Sequence, residues 1–293
     1  MQKITIPVLA KRKQSGQPRI AMVTAYDFTM ARMVDAAGVD IILVGDSLGM
    51  VVQGLPNTLE VTLEQMAYHT RCVSRGAGHA HVVADMPFGS YHLSPTQAVQ
   101  SAIHLVKEGG AESVKLEGGQ ERVADVRAIV NAQIPVMGHV GLTPQSVHRI
   151  GGFKVQGRGS AAADKVFDDA VAIAEAGAFA LVLEGIPADL AKRITAAIDI
   201  PTIGIGAGPH CDGQVLVCTD LLGADPDFTP KFLKKYADLH GLVQQAVGSY
   251  IDEVRAGTFP GPQHSFKGKR SKNGVAAVKP MAEVTPLYGG GAG

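Results

Sequence analysis

The sequence predicts an α/β fold, a single (β/α)₈ TIM barrel. Eight short apolar runs recur along the chain. Each is followed by a polar or acidic residue with Gly or Pro, and then by an amphipathic stretch. The runs are near-continuous rather than alternating, as expected of parallel strands buried on both faces. Eight right-handed βα units close most simply into a barrel. A doubly wound open sheet is the alternative. That fold usually carries G-x-G-x-x-G after its first strand, whereas the first run here ends Ala25-Tyr26-Asp27.

The expected strands are Ile20–Ala25, Ile41–Gly45, His81–Asp85, Ser113–Glu117, Pro135–His139, Ala180–Glu184, Pro201–Gly206 and Val215–Thr219. Helices are expected between them. Ser94–Gly109 opens with Ser94 as N-cap, Pro95 at the first helical position and Gln97 at the capping-box position. Val61–Arg75 ends near Gly76, and Ala161–Ala176 stops at Gly177, a natural C-cap. Pro187–Ala197 starts on a proline and is closed by Pro201 beyond it. Lys231–Arg255 reads as helices broken near His240-Gly241. Residues 1–266 are therefore expected to form the barrel domain with C-terminal helices. The Gly-rich, non-periodic residues 267–293 are expected to form a disordered tail.

Of 293 residues, 46% are hydrophobic, enough for a large core. Lys+Arg and Asp+Glu are both 27, and no basic stripe marks a nucleic-acid surface. The cluster Lys267, Lys269, Arg270 and Lys272 reads as part of a solvated tail. Cys72, Cys211 and Cys218 show no C-x-x-C spacing, so neither a disulfide framework nor a thiolate zinc site is indicated. The N-terminal stretch, broken by Pro7, lacks a secretory pattern. No run approaches the roughly 18 apolar residues of a membrane span. The expected setting is the cytoplasm.

A parallel barrel builds its active site at the carboxyl ends of its strands. The second run ends in Asp46 and Ser47, and the third in Asp85. The fourth carries Lys115 and Glu117, the fifth His139 and the sixth Glu184. Four acidic ends in one barrel mouth repel one another unless a cation or proton compensates. Two carboxylates with waters and a chelating substrate suit Mg²⁺. The plainer reading makes each acid a helix cap or ion-pair partner.

Lys115 and Glu117 are two apart, so they share a face. Lys115 suits a substrate carboxylate, an internal ion pair, or a Schiff base that nearby acids would oppose. Glu184 follows apolar Leu181–Leu183, a setting that tends to raise a carboxyl pKa and suits a general base. His139 reads as a supporting rather than catalytic residue. Gly204, Gly206 and Gly208 could cradle an anion or form a tight turn. Gly151–Gly159 could be a lid or a surface loop.

Ten ordered segments carry a family resemblance. They are TAYD (24–27), VGDSLGM (44–50), YHT (68–70), ADMPF (84–88), VKLEGG (114–119), GHVGLTPQSV (138–147), GGFKVQGRG (151–159), LVLEGIP (181–187), IPTIGIGAG (200–208) and PGPQHSF (260–266). With these, residues 4–266 closely resemble the ketopantoate hydroxymethyltransferase family. The resemblance implies a barrel of the phosphoenolpyruvate/pyruvate group, dependent on Mg²⁺. It would transfer a one-carbon unit from 5,10-methylenetetrahydrofolate to 3-methyl-2-oxobutanoate, on the route to pantothenate. It further implies Asp46, Asp85 and Glu117 as metal ligands, and Asp46, Ser47, Asp85 and Lys115 as the substrate-binding set. Glu184 would be the proton acceptor. The family forms cytoplasmic homo-oligomers, typically decamers.

No residue matches a folate site, and the tail after Phe266 lies beyond the usual family end. A related lyase of the isocitrate-lyase type would carry a catalytic K-K-C-G-H loop, which this sequence lacks.

Overall fold

The structure is a computed structural model, and it describes residues 2–13 and 16–268. Eight parallel strands close into a barrel in chain order. They are β1 Ile20–Thr24, β2 Ile41–Val44, β3 His81–Asp85, β4 Ser113–Glu117, β5 Val136–Gly141, β6 Ala180–Glu184, β7 Thr202–Ile205 and β8 Gly213–Leu216. The helices are α1 Ile6–Lys11, α2 Phe28–Ala36, α3 Leu48–Val51, α4 Leu63–Gly76, α5 Pro95–Gly109, α6 Val123–Asn131, α7 Val147–Ile150, α8 Ser160–Glu175, α9 Ala188–Ala197, α10 Cys218–Leu221 and α11 Leu239–Ala256.

Side-chain parity along the strands creates two cores. On β2, Ile41 and Leu43 join an inner cluster with Val83, Met137, Ala180, Val182 and Ile203. Ile42 and Val44 join the outer cluster against the helices. A strand's side chains alternate faces, so one strand serves both layers. The same parity carries the inner face upward from Val83 to Asp85, from Met137 to His139, and from Val182 to Glu184. The N-terminal segment closes the opposite end of the barrel. Leu9 of α1 is buried in the inner cluster, and Ile4 N–H donates to His79 O at 2.8 Å.

Local chemistry explains the helix starts. Ser94 Oγ accepts from Gln97 N–H at 3.2 Å. Gln97 returns its carbonyl to Leu93 N–H at 2.9 Å rather than to the cap residue. A reciprocal capping box forms instead at α4, where Thr62 and Gln65 exchange bonds of 3.2 and 2.9 Å. Gly110 ends α5 at φ +71°, a left-handed conformation that favours glycine.

The eighth strand and the segment after it differ from expectation. Strand β8 lies two residues earlier than Val215–Thr219, because Gly213 pairs with both Ile20 and Ile203. A Cβ at Gly213 would come within 2.5 Å of Ile20 O. Thr219 falls in α10, whose first residue, Cys218, donates its N–H to Thr24 Oγ1 at 3.0 Å. Residues 231–238 are not helical, since Tyr236 N–H bonds Leu221 O at 2.8 Å. Helix α11 then runs through His240 and Gly241, where a break was expected.

The described residues fall into two compact units, divided after His240. In the second, Tyr250 and Phe259 meet edge to face at 5.6 Å, and Thr258 N–H bonds Glu253 O at 3.0 Å. Of the expected tail, only Lys267 and Gly268 are among the described residues.

Candidate active site

Strand register assembles the site. Asp85 of β3 pairs with Lys115 of β4, Glu117 with His139 of β5, and Gly141 with Glu184 of β6. Inner-face residues of successive strands thus become neighbours around one rim. Asp46 arrives differently. Parity would put Gly45 on the inner face, and the chain turns after Val44 to bring Asp46 in. Its N–H then donates to Asp85 Oδ2 at 3.1 Å. A side chain at position 45 would collide with Ser47 Oγ at 2.7 Å.

Asp46, Asp85, Lys115 and Glu117 are all buried, at 2–5% exposure. Lys115 Nζ forms an ion pair with Asp85 Oδ1. Burial alone would strip its proton, but Asp85, Glu117 and Asp46 together raise its pKa and keep it charged. A neutral Schiff-base amine is thereby disfavoured. Burial first, then Asp85 and Glu117, hold the Asp46 carboxyl well above its ordinary pKa. Three carboxyls crowd round one lysine, so in the absence of a cation a retained proton is what offsets the excess.

All the donors are carboxylate oxygens, which suits a hard divalent cation. Among the described residues, no three His, Cys, Asp or Glu side chains close on one point as a ready-made cage. The arrangement fits an open site, in which one or two carboxylates leave places for water and substrate oxygens.

His139 links the two sides of the rim. Its Nδ1 lies 3.5 Å from Glu117 Oε1, and its Nε2 lies 3.2 Å from Glu184 Oε2. Neither contact has hydrogen-bond alignment, so both are charge contacts at most. Burial and Lys115 push the imidazolium pKa down, yet Glu117 and Glu184 outweigh them and raise it to about 9. Glu184 does not cap the helix after it. The N-cap of α9 is Pro187, which makes no side-chain bond.

Ser47 stands at the N-cap of α3 without a side-chain cap bond, and its Oγ lies 2.8 Å from Tyr26 Oη. Burial keeps the Tyr26 phenol protonated far above neutral pH.

Two further residues escape a reading of strand ends. Gln145 lies six positions past His139, in the loop after β5. It is 5% exposed and fully bonded. Its Nε2 donates to Asp46 Oδ2 at 2.8 Å and to Met86 O at 3.0 Å, and its N–H donates to Glu117 Oε2 at 3.0 Å. Its Oε1 accepts from Tyr91 Oη at 2.6 Å. Tyr91 Oη in turn accepts from Glu117 N–H at 3.2 Å. Gln145 and Tyr91 tie β2, β3 and β4 together beneath the carboxylates. The only signal in the sequence was the presence of Gln145 in the GHVGLTPQSV segment.

The glycines after β7 serve a turn. Gly206 and Gly208 have φ of +62° and +77°, and Gln214 Nε2 donates to Gly208 O at 3.0 Å. The 151–159 segment has no helix or strand until Ser160. Gln156 N–H ties it to Gly185 O at 2.8 Å, beside Glu184.

A model of the ketopantoate hydroxymethyltransferase family matches residues 3–262. The 3-methyl-2-oxobutanoate hydroxymethyltransferase of Anaeromyxobacter dehalogenans is 58% identical over 267 residues, covering 90% of this chain and 87% of its own. That of Moorella thermoacetica is 58% identical over 265 residues, covering 90% and 98%. That of Clostridium beijerinckii is 56% identical over 257 residues, covering 88% and 94%.

Among solved structures, 2,3-dimethylmalate lyase, a PEP mutase/isocitrate lyase superfamily member, superposes with a TM-score of 0.55 at 16% identity. The match covers 91% of this chain and 93% of that one. Phosphoenolpyruvate phosphomutase from Streptomyces platensis subsp. rosaceus gives 0.55 at 16% identity, covering 85% and 86%. At that identity these two share the fold alone.

Proposed function

The chain belongs to the ketopantoate hydroxymethyltransferase family, and on that premise we propose how its barrel mouth carries the reaction. The activity is hydroxymethyl transfer to 3-methyl-2-oxobutanoate. The one-carbon donor is 5,10-methylenetetrahydrofolate. The products, with one water taken up, are 2-dehydropantoate and tetrahydrofolate.

One observation carries the assignment of roles, the division of the rim's carboxylates. Asp46, Asp85 and Glu117 are buried with Lys115, whereas the Glu184 side chain is 23% exposed to the mouth. The buried set would hold Mg²⁺ through Asp46 and Asp85, with Glu117 as the third metal-side carboxylate. When bound, the cation polarises the 2-oxo group and so acidifies the neighbouring C–H. Ser47 and Lys115, with Asp46 and Asp85, hold the 2-oxo acid, and Lys115 faces its developing negative charge.

Glu184 takes the proton from C3. The electron pair left behind spreads onto the 2-oxo oxygen. Water adds to the donor's methylene carbon and its C–N bonds break, leaving tetrahydrofolate and a formaldehyde-level carbon. C3 bonds to that carbon, whose C=O pair takes a proton and becomes the new hydroxyl. His139 holds Glu184 and Glu117 at a fixed separation and offsets their mutual repulsion.

Proton exchange at C3 of 3-methyl-2-oxobutanoate in D₂O, followed by NMR, tests this reading. Loss of the C3 proton signal that requires Mg²⁺ is expected without folate, and product on adding 5,10-methylenetetrahydrofolate. If neither exchange nor product appears with tetrahydrofolate also present, the assignment is wrong.

We also propose that residues 1–266 act as the catalytic domain and that the chain assembles as a homodecamer. Light scattering would then show ten times the chain's mass, and a smaller particle would exclude it. No helix among the described residues is long and apolar enough to cross a membrane.

A further inference from the structure

The hydroxymethyl transfer needs a second substrate beside the 2-oxo acid, and none of the rim residues described so far is suited to a large planar one. A cavity of about 320 Å³ opens beside Glu117 and Gln145. Glu117 of the carboxylate cluster lines it, as does Gln145, whose Nε2 donates to Asp46 Oδ2 at 2.8 Å. The volume is that of a small-molecule pocket.

One wall is aromatic. Phe88 is 45% exposed, its ring centroid lies 4.8 Å from that of His92, and the buried Tyr91 ring lies 4.2 Å from His92. A free aromatic face at a cavity wall offers stacking to a flat ring system. The rim carries charge of both signs. Glu121 and Arg149 both line the cavity and are exposed. Neither side chain makes a hydrogen bond or ion pair among the described residues. A second, smaller cavity of about 130 Å³ continues from the first and shares Gly118, Glu121 and Arg149 with it.

We propose that this continuous groove binds the reduced folate donor, a reading that rests on the hydroxymethyl transfer function. The pteridine would stack against Phe88 and His92. An aminopyrimidinone ring presents two adjacent N–H donors, which a single carboxylate accepts together, and Glu121 is the carboxylate at hand. The opposite end of the donor carries carboxylates, which suit the planar guanidinium of Arg149. In this orientation the one-carbon bridge would lie between the two ends, in the cavity that Glu117 lines.

The test is calorimetric titration of tetrahydrofolate, under reductant, into the full chain with Mg²⁺ and 3-methyl-2-oxobutanoate present. Phe88→Ala and Arg149→Gln alter exposed side chains, so the fold should tolerate them. Each is expected to raise the Kd for tetrahydrofolate about tenfold or more, the loss of one good contact. The KM for 5,10-methylenetetrahydrofolate should rise in step, with the affinity for the 2-oxo acid within about twofold of the unmodified chain.

Tetrahydrofolate affinity unchanged in both variants would overturn the groove assignment. So would a fall in 2-oxo acid affinity alone. An unmodified chain that exchanges the C3 proton separates these outcomes from failure of the transfer reading itself. A chain that neither exchanges nor binds tetrahydrofolate overturns both.

Discussion

Glu184→Gln keeps the size of the side chain and removes its capacity to take a proton. Turnover and C3 exchange should both fall by roughly 10²–10⁴-fold, the usual worth of a positioned base. Calorimetric affinity for Mg²⁺ and the 2-oxo acid should persist, and intact turnover would remove Glu184 from the base role. Gln145→Leu tests the support beneath the metal-side carboxylates. It removes the side-chain bonds to Asp46 Oδ2, Met86 O and Tyr91 Oη, while the backbone bond to Glu117 survives and Tyr91 keeps its contact with the Glu117 backbone. Orienting partners of metal ligands are typically worth about 10–100-fold in metal affinity. A loss in that range by Mg²⁺ titration is expected, and unchanged affinity would reduce Gln145 to packing. At this scale the acidic strand ends were legible in the sequence, because each closes its own apolar run. Gln145 and Tyr91 were not, because their roles arise from loops that meet only when β3, β4 and β5 stand side by side.

Each strand has a structural end and a chemical end. On β3, His81 sits four residues below Asp85 on the inner face, with Nε2 2.9 Å from Ser113 Oγ. Burial foremost, with Lys3 adding to it and Glu112 opposing, lowers the His81 pKa to about 4 from 6.5. Folded His81 therefore stays neutral where the unfolded chain takes up a proton. Its contribution is complete above pH 6.5 and is lost progressively as pH falls toward 4. The shift corresponds to about 3 kcal/mol at the acid end. Urea midpoints at pH 7, 5.5 and 4.5 should fall more steeply for the native chain than for His81→Gln, and parallel curves would refute the assignment. The strands β3, β4 and β6 match their expected limits, since short apolar runs bounded by turns are local signals. Strand β8 does not, because its start is set by pairing with β1 and β7. The helix expected over Lys231–Arg255 lost its first turns to a backbone bond from Tyr236 to Leu221, which periodicity does not reveal.

For the whole barrel, the cluster of Asp46, Asp85 and Glu117 is a local cost of folding that a bound cation relieves. A ligand that binds only the folded state stabilises it by about 2.7 kcal/mol at a hundred times its Kd. Mg²⁺ with 3-methyl-2-oxobutanoate should therefore raise the Tm by several degrees in thermal denaturation, and EDTA should reverse the rise. A Tm indifferent to both would argue against a metal site in the mouth. By itself, the sequence determined the βα rhythm, the barrel class, the family and the acids that would stand at the rim. These follow from composition and period along short segments. Tertiary structure decided which of those residues touch. It set Lys115 on Asp85, placed His139 between Glu117 and Glu184, turned Asp46 inward past Gly45 and opened the aromatic groove beside them. Such contacts depend on strand register, and in a closed barrel register is fixed only by all eight strands together.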